Sequence, residues 1–282
     1  MKIIKKVKEM QVCADRARLE SKRIAFVPTM GYLHEGHLSL VRIARELCDL
    51  LVVSIFVNPS QFAPHEDFEA YPRNFQRDFD MTEKEGVDII FTPEVGELYS
   101  ANFQTYVSLE KIPMHLCGIS RPIFFRGVAT VVTKLFNIVK PHTAVFGKKD
   151  YQQLLVIRRM VSDLHMDIDI IGGETIREHD GLAMSSRNTY LTKTQRESAI
   201  SLSNALKKAQ KAVESKITDA SQIVKQTKEF ISSHPETQID YVAICDPETL
   251  EDIQVINRPA LMALAVKVGS TRLIDNMILN TK

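Results

Sequence analysis

Short apolar runs rich in branched side chains recur along this chain, and longer helix-patterned segments separate them. The runs are residues 24–28 (IAFVP), 51–57 (LVVSIFV), 88–91 (DIIF), 143–146 (TAVF) and 168–171 (IDII). Most are apolar nearly throughout rather than alternating, the mark of strands buried on both faces. Between them, residues 37–48 place Leu38, Val41, Ala44 and Leu47 on one helical face. Residues 75–85, 128–139 and 152–164 also carry helical patterns. Buried strands separated by helices predict a parallel sheet covered on both sides. The expected class is α/β, a Rossmann-like doubly wound parallel sheet.

The texture changes near residue 176. Residues 194–215 and 221–232 read as polar helices, and 241–245, 262–268 and 272–279 as strands. This predicts a smaller C-terminal α+β domain, giving domains at 1–175 and 176–282. In an open parallel sheet, ligands bind beyond the carboxyl ends of the strands. Polar clusters follow three of the predicted strands, at residues 29–37, 58–61 and 147–153. The topology therefore gathers sequence-distant groups at one rim.

Composition narrows the function. Of 282 residues, 36 are basic and 35 acidic, for a formal charge of +1. No global positive field is available to hold nucleic acid. No apolar run reaches the ~18 residues that a membrane span requires, and the basic start lacks the apolar stretch of a signal peptide. Cysteines 13, 48, 117 and 245 form no C-x-x-C pair, so free thiols in a reducing cytoplasm are expected.

The first cluster is Pro28-Thr29-Met30-Gly31-Tyr32-Leu33-His34-Glu35-Gly36-His37. A strand ends, a glycine-bearing loop turns, and a helix begins. Helix starts present unsatisfied N–H groups and favour phosphate. His34 and His37 share one face of a first turn and can donate to a phosphate whose charge develops in the transition state. On spacing alone, two partly exposed histidines at a helix start is an equal reading, and metal ligation is a weaker third. The second cluster, Asn58-Pro59-Ser60-Gln61-Phe62, offers donors and acceptors suited to a hydroxy acid, but taken alone it reads first as a strand-end turn, Asn-Pro being a common turn starter. The third, Gly147-Lys148-Lys149-Asp150-Tyr151-Gln152-Gln153, sets lysines where a polyphosphate can be neutralised and an aspartate that can hold Mg²⁺ through water. Alone, such a segment is usually a solvated surface turn. The fourth, Asp180-Gly181-Leu182-Ala183-Met184-Ser185-Ser186-Arg187-Asn188, combines hydroxyls with an arginine that can grip phosphate oxygens. An ordinary helix cap is its plainer reading.

Together these segments resemble the signatures of the pantothenate synthetases (pantoate–β-alanine ligases), of the HIGH-motif nucleotidyltransferase superfamily. The first matches P-T-M-G-x-L-H-x-G-H. Residues 53–62 match V-S-I-F-V-N-P-x-Q-F, the third cluster matches F-G-x-K-D-Y-Q-Q-L, and the fourth matches D-G-L-A-M-S-S-R-N. The resemblance runs from about residue 24 to 191 and resumes weakly at 271–276. It implies a two-step ligation through pantoyl adenylate, releasing AMP and pyrophosphate. By it, Met30, Gly31, Tyr32, Leu33, His34, Glu35, Gly36 and His37 bind ATP, with His37 and His34 catalytic. Gly147, Lys148, Lys149, Asp150, Ile176, Met184, Ser185, Ser186 and Arg187 complete the ATP site. Gln61 and Gln153 bind pantoate, Gln61 also binds β-alanine, and Asp150 is the candidate Mg²⁺ residue. The C-terminal domain is implied to close over ATP as a lid, and the chain to form a homodimer.

Tyr71-Pro72-Arg73 and Asp78 match a further Y-P-R…D stretch, read here as a solvated helix start without a catalytic role. Two departures stand out. Lys148 replaces the glutamate that often precedes the family lysine, making the phosphate side more positive. Phe124 replaces a frequent histidine in R-P-x-H-F-R-G-V. Two rival functions remain: an adenylyltransferase of the same superfamily, which would not require Asn58, Gln61 and Gln153, and a non-catalytic nucleotide-binding module.

Overall fold

The computed structural model describes residues 1–64 and 66–281. The chain divides into two compact units. The first comprises Met1–Glu110, Arg121–Lys148 and Gln153–Glu174. The second comprises Lys111–Ser120, Lys149–Gln152 and Thr175–Lys282. A single cut near residue 175 does not anticipate that 111–120 and 149–152 join the second unit.

The first unit holds strands β1 (Lys2–Ile4), β2 (Ile24–Thr29), β3 (Leu50–Ile55), β4 (Ile89–Phe91), β5 (Thr143–Gly147) and β6 (Asp169–Gly173). They form one sheet in the order β1-β4-β3-β2-β5-β6, with every pairing parallel. Helices α1 (Val7–Leu19), α2 (Glu35–Arg45), α3 (Phe75–Lys84), α4 (Val95–Leu98), α6 (Phe124–Val139) and α7 (Tyr151–Asp163) occupy the intervals, while α5 (Cys117–Ser120) belongs to the second unit.

Both faces of the sheet are covered, which is why its strands lack alternation. Successive side chains of a strand point to opposite faces. Ala25, Val27, Leu51, Val53, Ile90 and Val145 pack with Leu40, Val41 and Ala44 of α2. On the other face, the rings of Phe26 and Phe146 meet Phe136 of α6 edge-on, with centroids 6.4 and 6.3 Å away. The expected helix at 37–48 begins earlier and ends at Arg45, so Leu47 lies outside it and is exposed. β1 and α1 are not anticipated by the sequence pattern. β1 has three residues at a sheet edge, and α1 buries only Met10, Ala14 and Ala17, a face too small to stand out.

From β2 the chain steps to β3 and β4 on one side, then returns to build β5 and β6 on the other. The switch point therefore lies between β2 and β5. Because all strands are parallel, the segments following β2, β3 and β5 leave the sheet at the same rim.

The second unit carries α8 (Lys193–Glu214), α9 (Ala220–Ser232) and the antiparallel sheet of β7 (Thr237–Cys245), β8 (Ala260–Val268) and β9 (Thr271–Leu279). Leu202 and Leu206 of α8, Ile223 of α9, and Val242, Met262 and Leu264 of the sheet share its core. No helix among the described residues is long and apolar enough to cross a membrane.

Candidate active site

The end of β2 is tied to its neighbour before the chain turns. The Thr29 hydroxyl donates to the Ser54 carbonyl at 2.7 Å and accepts the Gly31 N–H at 3.1 Å. The loop then passes through Gly31 at φ +84° and Tyr32 at φ +49°. A Cβ on Gly31 would stand 2.9 Å from Ile55 Cγ2 and 3.1 Å from Asp78 Oδ2. Conformation and space together select glycine there.

Asp78, on α3, organises this loop. Only 1% exposed, it accepts the Tyr32 N–H at Oδ2 and the Leu33 N–H at Oδ1, both at 2.7 Å. Burial pushes its carboxyl above the usual aspartate range, while the two N–H bonds pull the other way. The reading of this stretch as a solvated helix start is thus corrected at Asp78. Leu33 is fully buried. Within the 30–37 run, the Tyr32 and Leu33 N–H groups serve the fold of the loop.

His34 caps α2 in extended conformation. Its N–H donates to Nδ1 of His37 at 3.3 Å, and the two rings lie 4.1 Å apart at 39°. A neutral imidazole accepting at Nδ1 carries its proton on Nε2. His37 accordingly presents an N–H donor. Arg42 engages the Glu35 carboxylate, and this hydrogen bonding holds Glu35 below the usual range.

After β3 comes a single 3-10 turn, Pro59–Gln61. Asn58, 1% exposed, accepts at Oδ1 from the Ser60 N–H, the Ser60 hydroxyl and the Tyr99 hydroxyl, at 3.3, 2.9 and 2.8 Å. Its Nδ2 donates to Gln61 Oε1 and to the Gly127 carbonyl, each at 3.1 Å. Gln61 Nε2 lies 3.1 Å from the Met30 sulfur, which brings the first two clusters into contact. Helix α6 approaches so closely that a Cβ on Gly127 would sit 2.4 Å from the Ser60 carbonyl. Arg121 braces the turn from outside, pairing with Glu66 and donating to the Gln61 carbonyl at 3.3 Å. Its guanidinium lies 3.8 Å from the centroid of Phe124. The aromatic departure at 124 thus gives Arg121 a stacking platform.

The turn after β5 divides its polar residues among different tasks. Lys148 pairs with Glu174 just beyond β6, so the charge added by this departure is matched locally. The Lys149 carbonyl accepts from Asn276 Nδ2 at 2.8 Å, and its ammonium stands 4.0 Å from the half-exposed Asp150 carboxylate. Gln152 is wholly structural: it donates to the Ile112 and His115 carbonyls and accepts the Cys117 N–H. Its neighbour Gln153 lies half-buried in the first turn of α7.

In the second unit, residues 176–184 form a tight reversal. The Met184 N–H donates to Ile176, the Glu178 N–H to Leu182, and Gly181 turns at φ +92°. Arg177 forms a two-pronged pair with the buried Asp275, at 2.6 and 2.9 Å. Arg196 joins Glu178 and Asp180. Burial pushes Asp180 up, but the Leu182 N–H and Arg196 outweigh it and hold the carboxyl below its usual range. Ser185 then opens a 3-10 turn, Ser186–Tyr190, accepting the Arg187 N–H. Asn188 ties the turn back to Glu178 and Ala183. The Ser185-Ser186-Arg187 segment therefore sits on a rigid hydrogen-bonded base. Asp275 and Asn276, from the weakly matching 271–276 segment, are anchors to which residue pattern alone assigns no task.

Among the described residues, no three His, Cys, Asp or Glu side chains gather as a ready metal cage. Mg²⁺ held mainly by phosphate oxygens needs only a carboxylate or two from protein, and the half-exposed Asp150 fits that modest requirement.

The model of the Pantoate-beta-alanine ligase family matches residues 2–278. A pantothenate synthetase of Desulfatibacillum aliphaticivorans is 59% identical over 279 residues, covering 99% of each chain. The crystal structure of pantothenate synthetase from Thermus thermophilus superposes with a TM-score of 0.94 at 41% identity, over 99% of this chain and 100% of that one. The pantoate-beta-alanine ligase of Francisella tularensis, solved with beta-gamma ATP and beta-alanine, gives a TM-score of 0.82 at 32% identity, over 100% of this chain and 99% of that one. With its parallel sheet, its smaller antiparallel unit and its similarity to these proteins along their full length, this chain belongs to the pantoate-beta-alanine ligase family.

Proposed function

We propose that the chain condenses pantoate with β-alanine to pantothenate, splitting ATP to AMP and pyrophosphate through a pantoyl adenylate. One observation carries the reading. At the rim of the switch point, the Gln61 amide after β3 touches the Met30 sulfur in the loop that leads to α2, where His34 and His37 lie ring against ring. This supports a reading in which the loop before α2 serves phosphate and the turn after β3 serves the hydroxy acid.

In the first step, a pantoate carboxylate oxygen attacks the α-phosphorus. The bond to the pyrophosphate oxygen breaks, and pyrophosphate leaves. His37 Nε2–H donates to an α-phosphate oxygen as its charge grows, with His34 beside it and the N–H groups of Glu35 and Gly36 at the positive end of α2. Lys149 neutralises phosphate, and Gly147 lets the chain pass close to it. In the second step, the β-alanine amine attacks the acyl carbon, the bond to AMP breaks, and the amine loses its proton to solvent. Gln61 orients both acids and Gln153 pantoate. In the second unit, Ile176 takes the adenine side, Met184 adds to the ATP site, and Ser185, Ser186 and Arg187 take the phosphates. When bound, Mg²⁺ supplies charge neutralisation at the phosphates, with Asp150 as its protein contact.

The proposal includes action in the cytoplasm as a homodimer. The four cysteines are thiols, with Cys117 and Cys245 buried, which suits a reducing compartment. Light scattering tests the dimer. The decisive experiment supplies ATP, pantoate and β-alanine together and identifies the nucleotide product. AMP is expected and ADP sinks the reading. Pyrophosphate exchange that requires pantoate separates this function from adenylyl transfer to a phosphorylated cofactor.

A further inference from the structure

Gln61 is an amide, and an amide can present either its oxygen or its nitrogen. Which end faces a substrate depends on what the other end meets. In this chain the choice is made by a relay of directional hydrogen bonds that begins some distance from Gln61.

The relay starts at Tyr99, just after α4. Its hydroxyl donates to Asn58 Oδ1 at 2.8 Å and lies 3.0 Å from the Ser60 hydroxyl, which itself reaches Asn58 Oδ1 at 2.9 Å. A carbonyl oxygen accepts and an amide nitrogen does not. Two hydroxyls and the Ser60 N–H converge on one end of the Asn58 amide, so that end is its oxygen. Nδ2 must then point the other way, where the Gly127 carbonyl and Gln61 Oε1 each accept from it. With its oxygen held, Gln61 turns Nε2 toward the Met30 sulfur at 3.1 Å. A thioether is a weak acceptor. A carboxylate or hydroxyl oxygen of a ligand outcompetes it.

The Tyr99 ring is held for this task. It stacks with Phe56 at 6.4 Å, meets Phe103 edge-on at 5.0 Å, and has the Lys134 ammonium 5.5 Å from its centroid. Burial pushes the phenol above its usual range, so the hydroxyl remains protonated and able to donate at neutral pH and well above it.

We infer that Tyr99 is a positioning residue for the ligation, which acts through Asn58 to lock the Gln61 amide with its N–H donor facing the acid substrates. The inference rests on the pantoate–β-alanine reading above and adds a residue to it. It also defines the ligand chemistry at that point: the atom opposite Gln61 Nε2 is an acceptor oxygen.

Tyr99→Phe retains the ring contacts and removes only the hydroxyl. Steady-state kinetics of the full chain should show KM for pantoate and for β-alanine raised about 3- to 10-fold, the scale of one lost hydrogen bond. KM for ATP should be unchanged, as should the thermal unfolding midpoint. Tyr99→Phe combined with Ser60→Ala, which strips both hydroxyls from Asn58 Oδ1, should raise the two acid KM values further. A merely structural role would move the unfolding midpoint, or all three KM values together, and either result overturns the inference. So does a wild-type pantoate KM in both variants. If the wild-type protein releases AMP but Tyr99→Phe behaves identically, the inference alone fails. If the wild-type protein releases no AMP with both acids present, the reading beneath it fails as well.

Discussion

Asp78 receives the consecutive N–H groups of Tyr32 and Leu33 on separate carboxylate oxygens, both at 2.7 Å. The loop that delivers His34 to the start of α2 is thereby pinned by an acid on another helix. Asp78→Asn keeps the shape but replaces one acceptor with an NH₂ group that faces an N–H. Loss of about 1–3 kcal/mol is expected, as for a buried donor left without its acceptor. Turnover should fall about 10-fold, the equivalent of about 1.4 kcal/mol in the barrier, as the histidines lose their placement. Chemical denaturation and an AMP-release assay measure the two effects, and an unchanged rate would show that the loop does not depend on this acid.

In the proposed mechanism, His37 supplies the donor to the charge that develops on phosphate. His37→Ala should leave the fold intact, because the ring packs against His34 at the helix start rather than in the core. Adenylate formation should drop by ~10²-fold or more, the scale for removing one charge-stabilising donor. Circular dichroism together with pantoate-dependent pyrophosphate exchange checks both halves, and near-normal exchange would remove His37 from the chemistry.

Gln153 and Gln152 adjoin in sequence, and the proposed function gives a substrate to Gln153 alone. Gln152 has both ends of its amide committed to carbonyls and an N–H of residues 112–117. Gln152→Ala should therefore destabilise the protein by about 1–3 kcal/mol. Gln153→Ala should chiefly raise the pantoate KM. Reversal of these phenotypes would overturn the assignment.

Gly127→Ala tests the close approach of α6 to the Gln61 turn. The new Cβ would meet the Ser60 carbonyl at 2.4 Å and Gln61 Cα at 2.7 Å, which are backbone atoms that cannot swing aside. Overpacking of this kind costs about 1–3 kcal/mol, and the displaced turn should weaken saturation by pantoate more than by ATP.

Asp180 sets a pH dependence. Its folded carboxyl lies below the ordinary value of 3.8, because the Leu182 N–H and Arg196 outweigh the effect of burial. A depressed acid stabilises the fold above the unfolded value, and that contribution vanishes as pH falls through the folded one. Asp180→Asn should thus be less stable than wild type near neutrality by about 1–2 kcal/mol. The difference should close below about pH 3.8, the ordinary aspartate value. A gap that persists in acid would assign the effect to shape rather than charge.

β2, β3, β4 and β5 are legible because both of their faces are buried, so their apolar runs are continuous and bounded within a residue or two. β1 and α1 are not, since an edge strand of three residues and a helix that buries two alanines and a methionine leave little pattern. At the site, residue types at strand ends locate the clusters. They do not reveal that Asp78 is buried, since the same acid at a helix start is usually solvated. Nor do they reveal that Glu174 faces Lys148, or that Tyr99 reaches Asn58, because those partners lie 26 and 41 residues away along the chain.

The strand order also dictates when each sheet can form. β7, β8 and β9 pair with their immediate neighbours in sequence, so their sheet forms from local pairings. β2 must await β5 across an interval like the 118 residues that separate Ile24 from its partner His142. Until then a strand that ends almost wholly buried has one edge open, while β1 has nothing to join before β4 is made. Non-local pairing of this kind is slow. A nascent chain released before residue 147 would expose the β2 edge, the very strand that leads to His34, and self-association should begin there.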